Sequence, residues 1–326
     1  MTAILVDTLT KRFGDFTAVD GISFEIPEGE IFGLLGPNGA GKTTAISMLS
    51  TLLEPTSGRA LLNGIDIIKD QDGVRKEIGI VFQDQSLDEE LTAWENMDFH
   101  GRLYRIPKAI REEQIDEMLR LVELEDRKDS LVKTYSGGMR RRLEIARGLL
   151  HEPSILFLDE PTLGLDPQTR NHLWEYIQSL NRRKGITIIL TTHYMDEADR
   201  LCDRVAIIDR GRIVAMDTPG NLKSQVGEDV VSITSPDAAR IADRIRAPWI
   251  LGAEQYDGQV IIRLRSAEDH LLELLSLIGG DGHTIASISI RKPTLEDVFL
   301  HYTGREMRHE EAGATDRMRM MMPRRS

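Results

Sequence analysis

The chain has 326 residues, a formal net charge of −12, 40% hydrophobic and 29% charged side chains, and one cysteine. This balance fits globular domains with a sizeable core. It excludes a nucleic-acid binder that works by bulk positive charge, and it excludes an internal disulfide, so Cys202 points to a reducing compartment. No run reaches the roughly 18 apolar residues a membrane span needs, and the first residues lack the basic-then-apolar order of a signal peptide, so any membrane work is expected to pass through a partner.

In chain order, AILVD (3–7) and ISFEI (22–26) read as strands. EIFGLLGPNGAGKTTAISMLSTLL reads as an apolar strand, a glycine-rich turn and a helix, and GRALLNGIDI and EIGIVFQDQ as further strands. From about 87 to 148 the text is helical, with Ile115, Met118, Leu119 and Val122 at helical spacing. SILFLDEP and ITIILTTH are short continuous apolar runs, as expected of strands covered on both faces of a mostly parallel sheet. RVAIIDRGRIVAMDTP reads as a hairpin with Gly211 near its turn. The rhythm changes at DTPGNLKSQVGED. Beyond it, DVVSITS, QVIIRLR and TIASISI are predicted strands, and PDAARIADRIR, AEDHLLELLSLIGG and PTLEDVFLHYTG predicted helices, the last capped by Thr294 with Asp297 three positions on. The expected organisation is an α/β domain at 1–222 with a helical subdomain at about 87–150. A small α+β extension of ferredoxin-like pattern follows at 225–304, then a disordered tail at 305–326.

Two motifs carry chemistry on their own. GPNGAGKT matches G-x-x-x-x-G-K-[ST] from Gly36 to Thr43, between the strand and helix it requires. Glycines 36, 39 and 41 let the backbone curl so that the loop Gly36, Pro37, Asn38, Gly39, Ala40, Gly41, Lys42, Thr43 and Thr44 wraps phosphate oxygens at a helix N-terminus, every residue but Pro37 offering an N–H. Lys42 reaches the outer phosphates and Thr43 offers a hydroxyl to Mg²⁺. SILFLDEP ends in Asp159, placed to hold Mg²⁺, and Glu160, placed to orient or deprotonate an attacking water. Together they indicate a P-loop NTPase.

YSGGM (135–139) resembles the signature motif of ABC-type ATPases, usually LSGGQ. The rest of that set follows in order: Phe13 as the ring on adenine (Phe16 standing second to it), Gln83 as the glutamine loop, Leu165 and Asp166 as the D-loop, and His193 as the switch histidine. YSGGMRRRLEIARGLLHEPSILFLDEPTLGLDP and KPTLEDVFLHYTG further resemble the ATP-binding subunits of daunorubicin-resistance-type exporters. The resemblance implies an ATP hydrolase with a mostly parallel core sheet, an antiparallel β subdomain and a helical subdomain. It also implies a head-to-tail homodimer closing on two ATP molecules, with Ser136, Gly137 and Gly138 of one chain facing the γ-phosphate on the other. Catalysis would fall to Glu160, His193 and Gln83, and Mg²⁺ to Thr43, Gln83 and Asp159. A separate ABC-2-type permease would place the chain on the cytoplasmic face of the membrane, with no nucleic acid expected. Other readings are a soluble ABC ATPase acting on ribosomes or nucleic acid, and an importer ATPase. Of the arginines after the signature glycines, Arg140 is expected to pair with Glu144 at i, i+4, and Arg141 and Arg142 to serve packing or a solvent face.

Overall fold

The computed structural model describes residues 1–256, 258–280 and 284–304; the tail expected at 305–326 lies outside them. The described residues divide into two compact units, 1–219 and 220–304.

The first unit runs β1 (Thr2–Phe13), β2 (Phe16–Pro27), β3 (Ile31–Leu35), α1 (Lys42–Leu49), β4 (Ser57–Leu62), β5 (Ile65–Asp66), α2 (Gln71–Glu77) and β6 (Ile78–Val81). The helical stretch holds α3 (Ala93–Leu103), α4 (Lys108–Leu121) and α5 (Gly137–Leu149). The chain then returns through β7 (Ile155–Asp159), α6 (Pro167–Lys184), β8 (Thr187–Thr192), α7 (Met195–Leu201), β9 (Arg204–Asp209) and β10 (Arg212–Asp217). Six strands form one sheet in the order β10-β9-β3-β8-β7-β6, parallel throughout except for the β9–β10 hairpin. β3, β7 and β8 are buried at every residue, which is why their sequences are continuous apolar runs rather than alternations. A second, antiparallel sheet, β2-β1-β4-β5, packs its alternating inner face on the first, with Phe24 stacked on Phe32 at 5.3 Å between ring centroids. Each fully buried Ile, Leu or Phe of this shared core stabilises the fold by roughly 1.5–3 kcal/mol.

Parallel register decides where the loops fall. Leu35 lies beside Thr192, and Asp159 beside Thr191, so the C-terminal ends of β3, β8 and β7 form one edge. Residues that follow these strands therefore meet there, as the rule for open α/β sheets requires.

The second unit contains α8 (Pro219–Val226), β11 (Asp229–Thr234), α9 (Ala238–Arg244), β12 (Ile250–Tyr256), β13 (Gln259–Leu264), α10 (Ala267–Gly280), β14 (Ser287–Arg291) and α11 (Leu295–Thr303). Its antiparallel sheet runs β12-β13-β11-β14, the order of a βαββαβ ferredoxin-like unit. There are thus four strands where the sequence patterns indicated three: β12, ILGAEQY, carries too few apolar residues to announce itself. The Thr294 and Asp297 side chains form a complete capping box at the start of α11. Among the described residues no helix is long and apolar enough to cross a membrane.

Candidate active site

The phosphate-loop motif leaves β3 at Gly36, where backbone crowding admits no side chain: a Cβ there would stand 2.3 Å from the Ile208 carbonyl. Gly36 N–H donates to the Thr192 carbonyl, which ties the loop to β8. Gly41, in the left-handed region at φ 107°, caps α1. Asn38, Gly39 and Thr43 are exposed, Pro37 and Thr44 half-buried, and Ala40 buried. Lys42 is buried; its ammonium donates to the carbonyls of Gly36 (2.7 Å) and Pro37 (3.2 Å) and stands 3.4 Å from Glu160 Oε1.

Asp159 closes β7. Its Oδ1 accepts from the Thr191 hydroxyl and, at 3.4 Å, from the Thr43 hydroxyl. Burial raises its pKa, against which these hydroxyls and Lys42 pull downward. A buried carboxylate next to an exposed hydroxyl, with its lysine neighbour engaged by another acid, suits a cation. Among the described residues no group of three or more His, Cys, Asp or Glu is placed to hold a metal ion.

Glu160 follows in the left-handed region, φ 46°. A non-glycine residue there carries strain of order 1–3 kcal/mol, and such strain gathers at functional sites. Its N–H is held by both the carbonyl and the hydroxyl of Thr191. Burial pushes its carboxyl pKa upward, but His193 and Lys42 outweigh that, and it lies below the ordinary glutamate value. His193 Nδ1 comes within 3.2 Å of the same Oε1 that faces Lys42. Lys42, Asp159, Glu160, His193 and Thr43 are thus brought together at one sheet edge.

Gln83 is half-buried just beyond β6, but the partners of Asp159 are threonines 191 and 43, not Gln83. Phe13 stands at the β1–β2 tip, 49% exposed, with the Lys11 ammonium 5.3 Å from its ring centroid; Phe16 is also exposed. Asp166 is the N-cap of α6, its carboxylate accepting from the amides of Gln168 and Thr169 and from the Thr169 hydroxyl. Thr169 in particular holds the Asp166 pKa below the usual range.

The signature residues lie elsewhere. Ser136 caps α5, its Oγ accepting from Met139 N–H, and it and Gly137 are exposed. Gly138 packs on α6 so closely that a Cβ would sit 2.3 Å from Thr169 Cγ2. The Tyr135 hydroxyl donates to the Arg127 carbonyl at 2.6 Å, which anchors the segment before the helix.

The expected Arg140–Glu144 pair does not form. Arg140 turns to Glu89 (2.5 Å) and Gln85 (3.2 Å), while Glu144 pairs with Arg141 at 2.9 Å, one residue closer along the helix. Arg142 reaches the Val122 carbonyl and Glu123. Sequence reasoning also missed Thr191, which clamps both acids, and the fully buried Glu197, which accepts from Thr162 Oγ1 (2.8 Å) and Trp174 Nε1 (3.0 Å). Thr191 sat unnoticed inside an apolar strand; TTHYMDE held the hint of an acid shortly after His193.

The chain is similar to known proteins over most of its length. The ABC transporter family model matches residues 19–163, and the model for the C-terminal domain of DrrA1-3-like ATP-binding proteins matches 218–303. The chain is 38% identical over 313 residues to daunorubicin resistance ATP-binding protein DrrA3 of Streptomyces coeruleorubidus, covering 95% of this chain and 99% of that one. It is 41% identical to Nod factor export ATP-binding protein I of Ralstonia nicotianae, covering 93% and 94%. Among solved structures, a dimeric ATP-binding cassette in a post-hydrolysis state with ADP and Pi superposes with a TM-score of 0.59 at 29% identity, over 66% of this chain and 98% of that one.

Proposed function

This chain belongs to the ABC transporter family as an ATP-binding and ATP-hydrolysing subunit of the drug and antibiotic exporter type, and from that premise we propose that it powers export through a separate ABC-2-type membrane permease. In this reading two copies join head to tail. The phosphate loop, residues 36–44, and the exposed Phe13 ring hold ATP on one chain, and Ser136, Gly137 and Gly138 of the other meet its γ-phosphate with amides at a helix N-terminus.

The observation that carries the proposal is the separation of functions in one fold. The hydrolytic groups converge at one sheet edge, while a bare, capped helix start carrying the signature residues is exposed on α5. Glu160, held as a carboxylate by Lys42 and His193, is the base that takes a proton from the attacking water. His193 positions Glu160 and the γ-phosphate. Thr43, Asp159 and Gln83 would hold Mg²⁺, which supplies charge neutralisation on the outer phosphates. Asp166 orders the loop across which the two chains meet.

The helical subdomain is the surface offered to the permease; Phe99 and Leu103 on α3 are exposed there. The cargo class is drug, antibiotic, lipid or polysaccharide precursor. The test is ATP-driven uptake of labelled candidates into inverted vesicles that hold the chain and its permease. Uptake that depends on both supports the reading; ATPase activity indifferent to the permease, or stimulated by ribosomes or nucleic acid, overturns it.

A further inference from the structure

Arg141 is buried in the second turn of α5, and nothing in the nucleotide scheme above uses it. Four of its five N–H donors are engaged. Nε donates to the Pro161 carbonyl (2.9 Å), Nη2 to the Asp159 carbonyl (2.9 Å), and Nη1 to both the Phe82 carbonyl (2.6 Å) and Glu144 (2.9 Å). The other oxygen of Glu144, itself fully buried, accepts from Ser86 N–H at 2.9 Å. One guanidinium therefore grips the carbonyls on both sides of the strained Glu160 and the carbonyl just before Gln83, and fixes all three to the helix that begins with the signature residues.

We propose that Arg141, fastened by Glu144, is a positioning residue for hydrolysis, holding the Glu160 backbone in its working geometry. This rests on the reading of Glu160 as the base. Lysine cannot span the same carbonyls, because a fork of planar donors becomes a single point charge.

The test uses the full-length chain. Arg141→Lys is expected to bind ATP within about twofold of the parent and to keep KM, while kcat falls by about tenfold or more, the signature of an interaction that matters in the transition state. Because the effect runs through Glu160, adding Arg141→Lys to Glu160→Gln should lower the residual rate by less than about twofold. Glu144→Gln, which keeps the shape and the Ser86 bond, should show a smaller drop of the same kind and serves if the lysine variant fails to fold. The proposal is overturned by normal kcat in a folded Arg141→Lys or Glu144→Gln variant, by losses in kcat that track loss of folded protein, or by additive rates in the double variant. If Glu160→Gln itself turns over normally, the base assignment falls instead; a dead Glu160→Gln beside a normal Arg141→Lys removes only the role given to Arg141.

Discussion

Lys42 and Glu160, from loops that follow two different strands, meet as a buried ion pair at 3.4 Å, with side chains 4% and 8% exposed. Burial lowers the Lys42 pKa, and Glu160 partly restores it. Each residue thus favours the charged form of the other against the burial that opposes it. In the proposed reaction, a phosphate drawn to Lys42 would compete for the ammonium and leave Glu160 to His193.

Glu160→Gln keeps the side-chain shape and removes the base. ATP affinity is expected to persist, turnover to fall by about 10²–10⁴-fold, and ATP-bound dimers to accumulate in gel filtration. A parental hydrolysis rate would rule out this assignment.

Lys42→Ala removes the cation that faces both phosphate and Glu160. Nucleotide binding by equilibrium dialysis should disappear. The nucleotide-free protein should also lose about 3 kcal/mol of stability at neutral pH, since Glu160 retains only His193. Unchanged affinity would remove the phosphate-loop reading.

Asp166 offers a way to separate capping from chemistry. Asp166→Ala should lower the melting temperature through the lost cap, whereas Asp166→Asn, which caps nearly as well, should not. If hydrolysis falls in the asparagine variant at unchanged melting temperature, the negative charge matters beyond the helix. If both track stability, capping is the whole role.

The helical subdomain contains a pH-sensitive element away from the nucleotide. His100 lies tilted against Tyr104 at 5.0 Å and beside His151 at 6.4 Å between ring centroids, and burial, aided by Arg147 and His151, lowers its pKa to about 4. A histidine depressed in the fold stays neutral there while the unfolded chain protonates near pH 6.5. The unfolded state therefore binds more protons between 6.5 and about 4, and stability falls as pH drops through that window. His100→Phe, which keeps a ring against Tyr104 and cannot protonate, should flatten the slope of melting temperature between pH 6.5 and 4. An identical slope would show that His100 does not carry it.

The hydrolytic edge was legible in the sequence because phosphate chemistry demands particular residues at fixed spacing, and a continuous apolar run before each motif announces a buried strand. The register that gathers Gly36, Asp159 and His193 follows from parallel pairing alone. What stayed hidden was settled by distant partners. Glu144 had arginines at both i−4 and i−3, and local spacing alone pointed to Arg140. Arg141 prevails because the carbonyls of Phe82, Asp159 and Pro161, which only folding brings near, complete its fork, while Arg140 is drawn to Glu89, 51 residues away. β12 escaped notice because an edge strand covered on one face needs few apolar residues.

Gly138 has a consequence for reading genetics. An added Cβ would stand 2.3 Å from Thr169 Cγ2, so this glycine answers to a demand of its own chain as well as to the one proposed from the nucleotide of a neighbour. A disabling substitution at 138 is therefore ambiguous as a report on ATP contact. The ambiguity is separable by suppression: Thr169→Ser deletes the crowding Cγ2 while leaving a hydroxyl for the Asp166 cap. Activity restored to Gly138→Ala by that second change would assign the first defect to steric fit between α5 and α6; persistent failure would assign it to the neighbour's phosphate.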